Sequence, residues 1–234
     1  MSFAKLLAML QKNALYLPRV DELVKIDPFE GSVPRRYEAE RIAAKRFKPV
    51  REAKLRVSAE AVRKVMLLRA AMHRKEREKT FVSCWYCAEH DSDAMWRLNG
   101  VGGDGSVAVR TTAGRLRDAL PEWAYIGRVS YKDYETAVFP TCECWSPFFH
   151  KRDCFAHEKE VRVLVNPSVD NTGIEGVLGQ KGLEIPMDMN SLLTAIHVSP
   201  ASQPWFLAAV TCAVRDLGVE CPVNNALMDA QPAF

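Results

Sequence analysis

No apolar run in this chain approaches the roughly 20 residues that a helix needs to cross a bilayer, so no membrane-spanning segment is expected. Residues 2–10 hold one lysine and a short apolar run, but no small-residue cleavage site follows. They are expected to form a helix of the mature protein rather than a secretory leader. Gly100, Gly102, Gly103 and Gly105 do not sit in a strand, G-x-G-x-x-G, helix frame, which excludes a dinucleotide-binding fingerprint of that kind. A large excess of one charge is also missing. The 32 Lys and Arg against 29 Asp and Glu leave a net charge of +3, so the chain as a whole is no polycation. No internal repeat and no low-complexity linker interrupt it.

What is present is ordinary for a globular protein. The 234 residues are 48% hydrophobic and 26% charged, enough to build a core without disulfide staples. Seven cysteines is an odd number, which fits free thiols and leads to a cytoplasmic expectation.

The most informative stretch is Phe155-Ala156-His157-Glu158-Lys159-Glu160-Val161-Arg162-Val163-Leu164-Val165. On an extended backbone Glu158, Glu160 and Arg162 share one face, while Val161, Val163 and Val165 point into a core. Two carboxylates and a guanidinium on a buried strand are costly unless they pair or serve a ligand. Taken alone, the plainer reading is stronger: the solvent face of an amphipathic strand. A second charged group lies in the turn Asp27-Pro28-Phe29-Glu30-Gly31, close in sequence to Arg19 and Asp21.

The remaining pattern alternates strands and helices. Helical spacing covers residues 3–14, 111–120 and 204–217, the last closed by Gly218. Strands are expected at residues 15–23, 81–85, 106–110, 125–131, 161–165 and 195–199, and residues 135–154 read as loop. Residues 35–79 carry dense alternating charge and read as helices. They form a solvated, salt-bridged face in preference to a nucleic-acid face, because aromatic residues are almost absent there. The expected fold is α+β, one domain over 1–234. It has a central, mostly antiparallel, twisted sheet flanked by helices, and 35–79 is a helical insertion.

Cys84-x-x-Cys87, Cys142-x-Cys144 and Cys154-x-x-His157 have ligand-like spacing for zinc. Cys84 falls on a strand, however, and Cys87 would project to its other face. Small apolar cysteines are the simpler reading, and no metal is favoured.

Together, several strings resemble a bacterial and phage family known as domain of unknown function 2971. They are residues 15–21 with the turn 27–31, Val82-Ser83-Cys84-Trp85 and Ala94-Met95-Trp96-Arg97-Leu98. Further strings are Val129-Ser130-Tyr131-Lys132-Asp133-Tyr134, Lys151-Arg152 with the Glu-x-Glu strand, and Val198-Ser199-Pro200. The resemblance runs nearly end to end, with Asn99 departing from the family's aromatic. It implies a setting in phage–host conflict. A second, mechanistic resemblance is to the motif order of ADP-ribosyltransferases, with Ser83-Cys84-Trp85 standing where those proteins have Ser-Thr-Ser. It implies NAD as co-substrate and a protein or nucleic-acid acceptor. Arg19 would neutralise the pyrophosphate and Ser83 would steady the nicotinamide ribose. Glu160 would stabilise the developing positive charge, and Glu158 would orient or deprotonate the acceptor. Asp27, Glu30, Trp96, Lys151, Arg152 and Arg162 would line the substrate site.

Two other readings stand beside this one. In the first, Arg35, Arg36, Lys45, Arg46, Lys48, Arg63, Lys64 and the Lys151-Arg152 pair would meet nucleic-acid phosphates. Glu30, Glu158 and Glu160 would then hold Mg²⁺, as in a nuclease. The second is a non-enzymatic inhibitor that binds a partner through the insertion.

Overall fold

The computed structural model describes residues 1–34, 72, 74–100, 105–137, 139, 145–168, 174–200 and 202–226. Their architecture is α+β. Two compact units divide the chain, each assembled from separated segments. One comprises Met1–Leu17, Cys87–Ala124 and Glu184–Phe234, and the other Pro18–Tyr86 and Tyr125–Leu183.

In the first unit, helix α1 (Phe3–Lys12) buries Leu6, Met9 and Leu10, the 3–4 spacing of an amphipathic helix. The Ser2 hydroxyl accepts from the Lys5 N–H at its start. Asn13 closes it in the left-handed region (φ 45°), donating to the Leu10 and Met9 carbonyls. Strand β1 (Ala14–Pro18) follows and pairs with β8 (Gly182–Pro186). Strand β9 (Ala195–Val198) is buried throughout. It runs parallel to β10 (Val223–Asn225) and antiparallel to β3 (Val107–Arg110). Helix α6 (Pro204–Asp216) buries Phe206, Val210 and Val214 and ends at Gly218, whose φ of 73° suits glycine.

In the second unit, β7 (Glu160–Val165) lies between β2 (Phe81–Tyr86) and β4 (Tyr125–Arg128), antiparallel to both. The register pairs Leu164 with Val82, Arg162 with Cys84 and Gly127, and Glu160 with Tyr86. Paired residues share a face. That face therefore turns from apolar at Leu164 to charged at Arg162 and Glu160. Its apolar end packs Val20, Val82, Phe148 and Leu164, with Leu23, Trp145 and Phe149 against them. Each such fully buried side chain contributes about 1.5–3 kcal/mol. Val20 and Leu23 come from α2 (Val20–Leu23), a single helical turn where the strand was expected to continue to residue 23; the strand instead ends at Pro18.

Two further expectations are corrected. The strands are spread over several sheets of two or three rather than one central sheet, while most of the pairing is antiparallel, as expected, in the sheet around β7 and between β3 and β9. Residues 125–131 do not make one strand. The chain breaks at Val129 into β4 and β5 (Ser130–Lys132), and β5 pairs in parallel with β6 (His150–Arg152), a segment expected to be loop. Of the 35–79 insertion, residues 35–71 lie outside the described region. At its end, residues 74–77 are helical, and the half-buried Arg77 donates through Nε to the Gly31 carbonyl at 3.3 Å.

Candidate active site

All of the site's side chains belong to the second unit. Its first part is the turn after α2. Asp27 Oδ1 accepts from the Phe29 N–H at 3.0 Å, and the Glu30 N–H donates to the Asp27 carbonyl at 2.9 Å. Gly31 then takes a φ of 61°. A Cβ there would stand 2.8 Å from a Phe148 ring carbon, so both conformation and space require glycine. This tight turn drives the Glu30 carboxylate inward, where the residue is only 4% exposed.

The second part is the run into β7. Residues Asp153–Glu158 form a 3₁₀ turn, and Lys159 adopts a left-handed conformation (φ 41°, ψ 49°) before the strand starts at Glu160. Glu158 is thus not on the strand, contrary to the extended reading of Glu158, Glu160 and Arg162. The two carboxylates meet instead because the left-handed residue turns the chain between them.

Arg162 is the centre. Its residue is fully buried, and its guanidinium reaches three partners. Nη1 and Nη2 donate to the two Glu30 oxygens at 2.5 and 3.1 Å. Nε donates to Glu160 Oε2 at 2.6 Å, and Nη1 also donates to the Phe148 carbonyl at 2.8 Å. Lys151, from β6, donates to Glu160 Oε1 at 3.0 Å and to Glu158 Oε2. Three carboxylates therefore face two cations. The Glu158 side chain, 24% exposed, is the most open of the three, against 8% for Glu160 and 3% for Glu30. Beside this chain Arg152 donates to Asp27 Oδ1 at 2.7 Å and lies 4.5 Å from the Phe29 ring centre and 5.3 Å from that of Phe155.

The electrostatics separate the two neighbouring carboxyls. Burial raises the Glu160 carboxyl, but the Arg162 guanidinium, the hydrogen bond with Glu158 and Lys151 overcome it and hold it at about 2. Burial and the hydrogen bond with Glu160 raise the Glu158 carboxyl from its ordinary value. The two neighbouring carboxyls are thus pushed in opposite directions, Glu160 down and Glu158 up. Burial works against the charge on Lys151 as well, and the two glutamates more than restore it.

Of the expected site residues, Asp27, Glu30, Lys151, Arg152, Glu158, Glu160 and Arg162 are gathered here. Arg19 is not. Its guanidinium closes on Asp21 at 2.6 and 2.8 Å, and its backbone bridges Phe81, which pairs with Val165 at the far end of β7. Five residues of strand, about 16 Å, separate that end from Glu160. Ser83 pairs with Val163, so its side chain takes the sheet face opposite Arg162 and Glu160. Trp96 sits half-buried on α3 (Asp93–Asn99) of the first unit, and the cluster is built without it.

Both oxygens of Glu30 and both of Glu160 are engaged by Arg162 and Lys151, which leaves a Glu30–Glu158–Glu160 cation site short of open ligands. Among the described residues, no group of three or more His, Cys, Asp and Glu is placed to hold a metal ion. The seven cationic residues assigned to nucleic acid in the insertion, and Cys142 and Cys144, lie outside the described region.

The sequence reading missed Tyr131. Its hydroxyl accepts from the Glu160 N–H at 2.8 Å, and the residue stands opposite Lys151 in the parallel β5–β6 pair. Its presence in the string Ser130-Tyr131-Lys132-Asp133-Tyr134, beside a strand edge, was the available signal. The Phe148 carbonyl that receives Arg162 leaves no trace in side-chain patterns. No family model matches the chain, and neither the curated proteins nor the solved structures provide a significant match.

Proposed function

We propose that the second unit cleaves the nicotinamide–ribose bond of NAD, passing the ADP-ribosyl group to water or to a hydroxyl of a protein or nucleic-acid acceptor. One observation carries the reading. Two carboxyls bridged by one ammonium, Glu158 and Glu160, have their proton affinities pushed in opposite directions. Such divergence assigns a proton-exchanging group and a permanent anion. The roles are those of the motif-order expectation: the more open Glu158 takes the acceptor's proton, and Glu160 supplies the fixed charge. In this scheme the C1′–N bond breaks and its electron pair leaves with nicotinamide, neutralising the pyridinium. The acceptor oxygen bonds to C1′, and its proton passes to the Glu158 carboxylate. The fixed negative charge favours the oxocarbenium-like transition state. Lys151 and Arg162 hold the anions in place.

A second reading has its own support. Both oxygens of Glu160 and both of Glu30 are already hydrogen-bonded, as in a clamp that only ties the 27–31 turn, β6 and β7 together. Nicotinamide release from NAD, measured on the wild type and on Glu158→Gln, tests the choice. The catalytic reading expects release by the wild type and a loss of about 100-fold or more in the variant, at unchanged melting temperature. Absence of release by the wild type, with Glu160→Gln lowering stability, is the outcome of a clamp.

A further inference from the structure

Tyr131 has no assigned role in that scheme, although it stands at the same edge. The parallel pairing of β5 with β6 sets it opposite Lys151, and the side chain is half-buried. A phenol carries one proton and two lone pairs. The oxygen here accepts from the Glu160 N–H at 2.8 Å, and among the described residues the proton is donated to no acceptor. Burial, with Glu160 and Glu158 adding to it, raises the phenol above its ordinary value, so it stays protonated at neutral pH. Accepting from an amide N–H also polarises the O–H and makes it a better donor. The edge of the site therefore presents a donor, Tyr131, held on the backbone N–H two residues after an acceptor, Glu158. A sugar hydroxyl, which both accepts and donates, complements that pair.

We infer that Tyr131 donates its hydroxyl proton to a ribose hydroxyl of the co-substrate and fixes the sugar beside Glu158. The inference rests on the proposed NAD reading and makes Tyr131 a substrate-binding residue of the same site. A site that hydrogen-bonds a substrate hydroxyl discriminates strongly against the analogue that lacks it.

The experiment compares NAD with its 2′-deoxy and 3′-deoxy nicotinamide-ribose analogues on the wild type and on Tyr131→Phe. For the wild type, KM for one deoxy analogue should rise about tenfold above that for NAD, with a smaller change in kcat. Tyr131→Phe should show the same rise with NAD itself and no further rise with that analogue, because the variant and the analogue remove the same hydrogen bond. Wild-type turnover of both analogues with an unchanged KM overturns the inference while leaving the NAD reading intact, and needs no folded variant. An unchanged KM for NAD in Tyr131→Phe, with a lowered melting temperature only, also overturns it and assigns the phenol to holding the Glu160 N–H. A wild type that neither binds NAD by calorimetry nor releases nicotinamide overturns the parent reading and this one together.

Discussion

Arg162 and Glu30 meet as a two-pronged pair, with Nη1 and Nη2 at 2.5 and 3.1 Å from the two carboxylate oxygens, and both side chains are nearly inaccessible to water. Such a pair is costly to break from one side, because the surviving charge stays buried. Arg162→Met should lower stability by about 3–5 kcal/mol in a denaturant titration. Removing both partners, as Glu30→Leu with Arg162→Met, should cost less than Arg162→Met alone. A double variant whose loss equals the sum of the two single losses would show that the pair is not coupled.

Acid should weaken the fold through Glu160. Its folded pKa, about 2, lies below the unfolded value of roughly 4.3, so its ionised form is favoured by folding. That contribution is complete above the unfolded value and disappears as pH falls from there through about 2. The gap corresponds to about 3 kcal/mol. Glu158, raised by burial and by Glu160, acts in the opposite sense: its contribution is present below its unfolded value and lost as pH rises through its folded value. Stability measured across the acid range should therefore fall less steeply in Glu160→Gln than in the wild type. An acid limb unchanged by the substitution would remove Glu160 from this role.

Gly31→Ala should destabilise the second unit by about 2 kcal/mol or more. The left-handed φ of 61° strains any L side chain, and the added Cβ would stand 2.8 Å from Phe148 and 3.2 Å from Val20. Because Glu30 precedes this residue, nicotinamide release should drop with stability. A variant as stable as the wild type would mean that the turn has another conformation open to it.

Lys159→Val should separate the two carboxylates. A β-branched residue tolerates the left-handed region poorly, at about 1–2 kcal/mol, and the escape is an extended backbone that carries Glu158 away from Lys151. Lys159→Gly keeps the turn. Activity lost in the valine variant and kept in the glycine variant is the expected result, and equal activity in both would contradict it.

The charged members of the site were legible because carboxylates and guanidinium groups next to a valine-rich strand must find partners. Glu30, Lys151, Glu158, Glu160 and Arg162 all did so. Their pairings were not legible: Glu30 and Arg162 lie 132 positions apart, and only the folded chain joins them. Arg19 was misplaced because Asp21, two residues on, satisfies it locally before any distant carboxylate can. Ser83 was misplaced because which face a strand residue takes depends on its register with β7, and a shift of one position reverses it. In the first unit, local patterns sufficed. The 3–4 spacing of α1 and α6 and the left-handed turn at Gly218 are set within a few residues.

The separation of Glu30 from Arg162 also has a kinetic consequence. Closing so long a loop carries a large entropic cost, so the pair is expected to form only after the sheet of β2, β7 and β4, with both charges hydrated until that point. The pair then acts as a late lock. Variants at Glu30 or Arg162 should leave the folding rate nearly unchanged and accelerate unfolding by almost the full loss in stability, the behaviour of contacts absent from the transition state.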